Sequence, residues 1–420
     1  MMWFVSLVVS AAASLRCASR VMEMVLSFLH LPWSAPSWYA GRVWLLRLGY
    51  YKLMHTKERA SDWVWIVDHT IQLGAEKCLV ILGLRLGSLP LGRSVCHEEV
   101  EPLTLVPMRQ STGDIVYQQL EETIEKTGIP REIIGDHGSD LKSGVEKFCQ
   151  AHPETCSIYD IKHKTASLLK HELEDDPAWG EFTRLAALTK KVVQQTSLAF
   201  VAPPNQRTKA RYMNVEILIR WGRKLLDFLE RGEQEAQDNF AQEHLEEKVG
   251  WIVPFRDHLA QWEEILQIIT TTECFVREQG LTHGCHLALK ERLVLVAQTE
   301  RAKRVCAQLL VFVAEESFKA KPNERLLGSS EVIESVFGKL KRLEGDQAKS
   351  GFTSLVLGVA AMVSTTTIEV VHKALETVRT KEVLDWVKKT LGKSVQAKRR
   401  EAFKSPDETE QKWDQFGMAA

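Results

Sequence analysis

The chain has 420 residues, a length that suits two or three domains. Apolar residues make up 45% of it, which is ordinary for a globular protein and argues against extensive disorder. The 54 basic residues balance 55 acidic ones, so a surface for a polyanion requires local clusters of basic residues. The eight cysteines form no Cys-x-x-Cys pair, a usage typical of a reduced, cytosolic protein and not of a disulfide-rich secreted one.

Two uncharged apolar stretches raise the question of a membrane. Residues 2–15 resemble a signal peptide, but no basic segment precedes them, and Arg16 and Arg20 follow them. The stretch from Gly351 to Ile368 is 18 residues long but contains several Ser, Thr and Gly residues. We interpret it as a buried core helix and expect no membrane association, with an exported helical protein as the alternative.

Residues 1–55 predict a small helical domain. Two helical stretches are joined by a turn that contains Pro32 and Pro36. Arg42 and Arg47 lie off the apolar face of the second stretch, which fits a helix-turn-helix that places this helix in a DNA groove. A helical hairpin that packs on the next domain is the alternative.

Residues 60–164 have the pattern of an α/β domain. β-Branched and aromatic runs predict strands, and apolar residues at helical spacing predict helices. The predicted strands are 63–70, 77–86, 103–108, 131–136 and 155–161, and the predicted helices are 114–128 and 139–150. Three consecutive strands followed by alternating helices and strands predict a mixed sheet with helices on it.

The remaining residues are predominantly helical. Residues 165–324 predict an all-helical domain inserted into the α/β domain. Residues 325–380 would then form its second part, which contains a helix over 328–345. Residues 381–420 are a tail, in which the stretch 388–404 has seven basic residues and one acid. The nearest approach to a metal-binding cluster outside the acidic residues is THGCH at 282–286, which we interpret as incidental.

Three carboxylates stand out by their positions. Asp68 and Asp136 each end a predicted strand, and a carboxylate after an apolar run is costly unless it is paired or bound to a metal. A site for paired Mg²⁺ ions needs a third carboxylate. On the helix over 328–345, Glu334 lies on the flank of the apolar face with Lys341, whereas Glu331 points towards solvent.

These segments resemble the DDE transposases of the RNase H-like superfamily. WIVDHT is similar to their first-Asp strand, IIGDHGSDL to their second-Asp strand and the following helix, and VIESVFGKLKRL to the Glu helix of bacterial insertion-sequence enzymes. The resemblance covers about residues 60–345. The spacing from Glu334 to Lys341 matches the end of the Y-x2-R-x3-E-x6-K signature, but Ser330 and Leu327 occupy its Arg and Tyr positions, so the subgroup stays open.

The resemblance implies an RNase H-like mixed sheet interrupted by a large helical insertion. It implies hydrolysis and strand transfer of DNA phosphodiesters at element ends, with Asp68, Asp136 and Glu334 holding two Mg²⁺ ions about 4 Å apart. Mn²⁺ is the alternative ion. The implied partners are double-stranded DNA, as element ends and as target, and further copies of the chain in a homodimer or larger assembly. The implied location is the cytoplasm, in association with the nucleoid.

Basic residues near these segments are candidates for contacts with DNA phosphates. They are Lys341, Lys339, Arg42, Arg47, Arg207, Lys209 and Arg211. Asp160, His163 and Lys164 follow the last predicted strand and are candidates for a supporting role around the metal or phosphate. We interpret His69 and His137 as structural and Asp140 as a residue of a helical first turn.

Two other functions are compatible with the same segments. One is a DNA-binding protein of this ancestry without catalytic activity, and the other is a different RNase H-like nuclease such as a resolvase or integrase.

Overall fold

The structure is a computed structural model, and it divides into two compact units. It describes residues 1–73, 76–206, 215–235, 245–345, 353–393 and 395–403. Unit 1 comprises Met1–Pro90, Ser94–Ser157 and Ser330–Ala420, and unit 2 comprises Leu91–Arg93 and Ile158–Ser329. The predicted insertion over 165–324 lies inside unit 2, whereas the predicted N-terminal domain over 1–55 is part of unit 1.

The main sheet is mixed, as the sequence predicts. Its strands are β1 (Trp63–Leu73), β2 (Glu76–Arg85), β3 (Glu101–Met108), β4 (Glu132–Gly135) and β5 (Cys156–Tyr159). In the described residues these five strands have the order β3-β2-β1-β4-β5. β2 is antiparallel to both β1 and β3, and β1 is parallel to β4. The first three strands therefore form a meander, and β1 lies at the centre of the sheet.

Helices account for most of the other described residues. In unit 1 the helices before the second unit are α1 (Met2–Val9), α2 (Leu15–Phe28), α3 (Trp38–Met54), α4 (Gly113–Thr127) and α5 (Ser139–Ala151). Unit 2 contains α6 (Ile161–Leu173), α7 (Pro177–Val193), α8 (Val215–Glu235), α9 (Arg256–Gln279), α10 (His286–Val294) and α11 (Glu300–Ser317). Unit 1 resumes with α12 (Glu331–Glu344), α13 (Gly358–Ala361), α14 (Ile368–Thr377), α15 (Thr380–Thr390) and α16 (Val395–Ala402).

One face of the sheet is covered by α4 and α5. Alternate residues of β1 point to this face, because successive side chains of a strand point to opposite sides. Trp63, Trp65 and Val67 there join a buried cluster with Leu120 of α4 and Phe148 of α5. Each large side chain fully buried in this way contributes roughly 1.5–3 kcal/mol to folding.

The other face of the sheet is covered by helices from both ends of unit 1. α3 and α13 pack against β3, and α12 packs against β1. Gly49 allows α3 to approach the turn before α13 closely, since a Cβ at this position would lie 2.2 Å from the carbonyl oxygen of Leu357. The stretch 355–363 is buried, as predicted. The expectation of a single core helix over 351–368 is wrong, because the described part of it forms a 3-10 turn over Ser354–Leu357 and a four-residue helix over Gly358–Ala361.

A buried lysine links α3 to the segment after α13. The ammonium group of Lys52 donates to the carbonyl oxygens of Val363 at 2.6 Å and Ser364 at 3.0 Å, and to the hydroxyl of Thr366 at 2.6 Å. Only 4% of this residue is exposed. Burial, together with the charge of the neighbouring Lys57, lowers the pKa of Lys52 to about 7.

Unit 2 is built around an aromatic cluster. Phe182 of α7 has ring contacts with Trp221 of α8, with Trp251, and with Trp262 of α9. Trp179 packs edge-on against Trp262, and both are 1% exposed. These tryptophans therefore form the core of the unit.

The expectation that residues 165–324 are all helical is wrong in one detail. Leu281–Thr282 forms β6 and Arg325–Leu326 forms β7, and the two pair in an antiparallel manner. Such a short pair leaves no apolar alternation in the sequence, so the strand pattern does not reveal it. Within the described ranges, none of the helices combines the length and the apolar character that crossing a bilayer requires.

Candidate active site

Asp68 and Asp136 occupy neighbouring strands at the centre of the sheet. Val67 of β1 pairs with Gly135 of β4 in the parallel ladder. Asp68 is the residue after Val67, and Asp136 is the residue after Gly135. Neighbouring strands lie about 4.8 Å apart, so the sheet brings the backbones of the two aspartates side by side. Both side chains are half-buried.

The expectation that Asp68 ends its strand is wrong. β1 continues to Leu73, and Asp68 pairs with Val80 of β2. The hairpin between β1 and β2 extends beyond the pairing with β4, which stops at Val67. Asp68 therefore lies where β1 loses its partner on one side only. Its Oδ1 accepts a hydrogen bond from the amide of His69 at 2.6 Å.

The loop after β4 turns the chain into α5 next to these aspartates. The amide of Gly138 donates to Oδ1 of Asp136 at 3.3 Å, which fixes the carboxylate against the turn. A Cβ built on Gly138 would lie 3.4 Å from a carboxylate oxygen of Asp136 and equally far from one of Asp140. The two carboxylates therefore flank the same glycine. α5 begins at Ser139, and Gly138 is the residue before it.

Asp140 is the centre of a polar cluster that sequence analysis did not identify. Its Oδ2 lies 2.7 Å from the ammonium of Lys77 and 3.9 Å from Nδ1 of His69. The other ring nitrogen of His69 is 3.2 Å from the hydroxyl of Ser111. Burial alone would raise the pKa of Asp140, but hydrogen bonds from Lys77 and Ser111 outweigh it and lower that pKa to about 2. Burial lowers the pKa of His69, which favours the neutral form of its ring.

The Asp140 cluster ties β1, β2 and α5 together beside Asp136. Lys77 belongs to β2 and His69 to β1, while Asp140 lies in the first turn of α5. The only sequence signal for it is an acid in a first helical turn, which many helices show for dipole reasons alone. The structure gives His69 and Asp140 a role in holding the loop that carries Asp136.

We expect Asp140→Asn to destabilise the protein at pH 7 by about 1–3 kcal/mol, the range for a hydrogen bond to a charged group. Because the pKa of Asp140 is lowered from 3.8 to about 2, its stabilisation is complete above pH 3.8 and is lost as the pH falls towards 2. Denaturant unfolding at pH 7 and pH 3 measures the difference. Asp114→Asn, at an exposed ion pair on α4, serves as the control and should cost at most about 1 kcal/mol. Equal losses in both variants would contradict the role of Asp140.

Glu334 lies in the first turn of α12, the helix that packs against β1. Its side chain is half-buried, and so is that of Glu331. Glu331 is therefore not the fully exposed residue that the helical periodicity predicts. Lys341 is exposed two turns further along the helix. Lys339 is 2.8 Å from Nδ1 of His97, so its ammonium is engaged within the protein.

The described residues contain no group of three or more His, Cys, Asp or Glu side chains placed to hold a metal ion. That Asp68, Asp136 and Glu334 together hold metal ions therefore stays a prediction. The same finding applies to the histidines of THGCH at 282–286. Nδ1 of His283 lies 3.0 Å from the carbonyl oxygen of Ala320.

Arg42 and Arg47 of α3 bond to other parts of unit 1. The guanidinium of Arg47 donates to the carbonyl oxygens of Leu375 and Val378 at the end of α14. That of Arg42 donates to the hydroxyl of Ser354 at 2.5 Å, and burial lowers the pKa of Arg42. These contacts fit the alternative of a helical hairpin packed on the neighbouring domain, and the placement of this helix in a DNA groove stays a prediction.

The other predicted residues belong to unit 2 or lie outside the description. Asp160 is fully buried and caps α6, where its carboxylate accepts from the amide of His163 at 2.9 Å. The ammonium of Lys164 lies 5.3 Å from the ring centre of Phe312. These contacts give all three residues structural roles within unit 2. Arg207, Lys209 and Arg211 lie outside the described residues.

The chain matches no protein-family model and no curated protein. Among solved structures, it is similar to one described as the Drosophila P element transposase strand transfer complex. The alignment covers 86% of this chain and 92% of that chain, with 13% sequence identity and a TM-score of 0.40.

Proposed function

We propose that the protein is a DDE-type DNA transposase with an RNase H-like core. It would catalyse Mg²⁺-dependent hydrolysis and strand transfer of DNA phosphodiesters at the ends of a mobile element. Asp68, Asp136 and Glu334 would be the catalytic carboxylates. The helical unit 2 would be the insertion that precedes the Glu helix in the family that the sequence resembles.

The register of β1 and β4 carries this proposal. Val67 pairs with Gly135, so the two candidate aspartates follow directly on neighbouring parallel strands. The packing of α12 against β1 supports the third position, since it places the helix of Glu334 on the strand of Asp68. The strand of Asp68 thus adjoins both β4, which Asp136 directly follows, and α12, which carries Glu334.

The donor set suits a hard divalent cation. Asp68 and Asp136 offer half-buried carboxylate oxygens, which Mg²⁺ prefers, and Mn²⁺ is the alternative ion. Bound there, the metal ions would activate the attacking water or 3′-hydroxyl and stabilise the leaving oxygen. The chain's own part is to hold the carboxylates in place: the Gly138 amide fixes Asp136, and the Lys77–Asp140 pair anchors the following helix.

Double-stranded DNA would be the substrate, and assembly of two or more chains on it is part of the proposal. A cleavage assay tests it: the full chain is incubated with duplex DNA that carries the element ends, with Mg²⁺ or with a chelator. We expect nicking at the ends that depends on Mg²⁺, and joining of pre-cut ends to a target. Cleavage without joining would instead indicate a resolvase-like nuclease, and DNA binding without cleavage an inactive descendant.

We expect Lys341→Ala to lower strand cleavage by roughly tenfold or more, if its ammonium supplies at least ~1.4 kcal/mol to the transition state. Lys341 is exposed on the helix of Glu334 and can therefore approach a DNA phosphate. Metal affinity should not change, because lysine is not a ligand. Arg342→Ala is the matched control, an exposed cation one residue further on the same helix. Wild-type cleavage by the Lys341 variant at low and moderate salt would assign it a plain surface role.

A further inference from the structure

A basic cavity lies at the edge of the sheet in unit 1. It has a volume of about 280 Å³ and is formed where the end of β3 meets the turn between α15 and α16. Four cations line it, namely Arg109, Lys389, Lys393 and Lys398. Among its described lining residues Glu76 is the acid, and its carboxylate is 3.7 Å from the ammonium of Lys398. Lys393 also forms an ion pair, with Glu401 at 2.7 Å, so the positive charge in excess of these two pairs comes from Arg109 and Lys389.

The fold gathers these cations from distant parts of the chain. Arg109 follows β3, whereas the three lysines come from α15, α16 and the turn between them. Gly392 makes that turn with a φ of +64°, a conformation that glycine adopts at little cost. Glu76 and Glu401 offset two of the four positive charges, and an anion in the cavity would relieve the repulsion between the others. The cavity is therefore suited to a negatively charged ligand.

The cavity lies at the end of the sheet where β1, β3 and β4 have their carboxyl ends, which is also the end towards which the candidate carboxylates lie. β1, β3 and β4 run in the same direction, so Asp68, Asp136 and Arg109 lie towards the same end of these strands. Asp68 pairs with Val80 and Val80 with Leu105, so Asp68 is level with a residue four positions before Arg109. Met108, which lines the cavity, pairs with Lys77, and Lys77 bonds to Asp140. Three strand spacings separate β3 from β4, roughly 14 Å.

We propose that this cavity binds a backbone phosphate of duplex DNA and so positions the duplex relative to the carboxylate edge. The proposal rests on the proposed function, which supplies DNA as the substrate. Exposed lysine and arginine side chains act on a phosphate as charges and hydrogen-bond donors, without reading the base sequence. The contact would therefore fix where the DNA lies and would serve any sequence equally.

Binding of a duplex oligonucleotide to the full-length protein, measured by fluorescence anisotropy at several salt concentrations, tests the proposal. The triple variant Arg109→Ala, Lys389→Ala, Lys393→Ala should bind more weakly and make the slope of log K against log salt shallower by about 1–3 units. Glu76→Gln should bind more tightly than the wild type, since it removes the negative charge from the cavity. An unchanged slope in the triple variant would overturn the proposal.

The matched control is the triple variant Lys373→Ala, Lys381→Ala, Lys388→Ala, which removes three exposed cations of α14 and α15 that do not line the cavity. It should keep the wild-type slope, and an equal loss in both triple variants would also count against the cavity. Competition by inorganic phosphate and by ATP separates the sources of the phosphate group. Saturable binding of either in the millimolar range or below, with DNA affinity unaffected, would assign the cavity to a free anion and overturn the role in DNA binding.

The outcomes for the cavity and for catalysis are separable. DNA affinity and its salt slope report on the cavity whether or not the protein cleaves DNA. A salt slope that responds to the cavity variants in a protein without metal-dependent cleavage would retain the cavity and reject the enzyme. If the protein cleaves DNA but its salt slope is unchanged in the cavity variants, the enzyme is retained and the role of the cavity is rejected.

Discussion

Asp136→Asn should reduce metal-dependent DNA cleavage by on the order of 10³-fold, and Asp68→Asn should have a similar effect. A carboxylate that holds a catalytic metal ion contributes several kcal/mol to transition-state stabilisation, and ~4 kcal/mol corresponds to that factor. Asparagine keeps the size of the side chain and one oxygen, so Oδ1 can still accept the hydrogen bond from the Gly138 amide. The loss should therefore reflect the missing charge. Initial rates of nicking, with calorimetric titration of Mg²⁺ or Mn²⁺ into each variant, measure both parts of the effect.

Two matched controls accompany these variants. Asp385→Asn removes an exposed carboxylate of α15 and should leave cleavage unchanged. Glu334→Gln should lower cleavage as the aspartate variants do, whereas Glu331→Gln, three residues earlier in the same turn of α12, should retain it. Full activity of Glu334→Gln together with loss in Glu331→Gln would move the third carboxylate to the neighbouring position.

Lys52→Met should be the most destabilising of the single substitutions considered, by about 3 kcal/mol or more. It leaves the buried carbonyl oxygens of Val363 and Ser364 without the ammonium that bonds them, and each such unsatisfied group costs about 1–3 kcal/mol. Thr366 loses a partner as well. Denaturant unfolding at pH 7 measures the loss, with Lys373→Met on the exposed side of α14 as the control.

The pH dependence gives an independent check on Lys52. Because burial lowers its pKa from 10.5 to about 7, the folded protein releases a proton that the unfolded chain still holds between these values. The free energy of unfolding of the wild type should therefore rise as the pH increases from 7 to 10.5, by at most ~1.4 kcal/mol per pH unit from this group. The Lys52→Met variant should lack this contribution. Parallel pH profiles for the two proteins would show that the lysine does not titrate in this range.

The local elements around the candidate site could be predicted from the sequence. The run WVWIV is buried on both faces of a central strand, so its composition alone predicts β1. The alternation of helices and strands after it predicts that β4 lies beside β1, which is why Asp68 and Asp136 could be placed together. Both inferences depend on the apolar run of β1 and on the order of short helical and strand patterns after it, which can be recognised from the local sequence.

The partners of charged residues could not be predicted. Arg47 looks like a surface residue of a helix, but its partners at Leu375 and Val378 are more than 300 residues away. The pairing of Lys77 with Asp140 depends likewise on how β2 and α5 meet. The sequence does not show whether solvent, DNA or a distant carbonyl group will face a charged side chain, so the intramolecular partners of Arg42 and Arg47 could not be predicted.

The discontinuity of unit 1 has a consequence for how the chain acquires its structure on the ribosome. α3 emerges early, but the groups that Arg42, Arg47 and Lys52 bond lie at 354–378, so α3 has to wait for most of the chain to be made. At about 5–20 residues per second, synthesis of the intervening ~300 residues takes roughly 15–60 s. Unit 2 is nearly continuous in sequence and can fold during that interval, while the apolar faces of α1 and α3 stay exposed. Nascent chains stalled before residue 354 should therefore recruit chaperones to the N-terminal helices, and chains released beyond residue 380 should not.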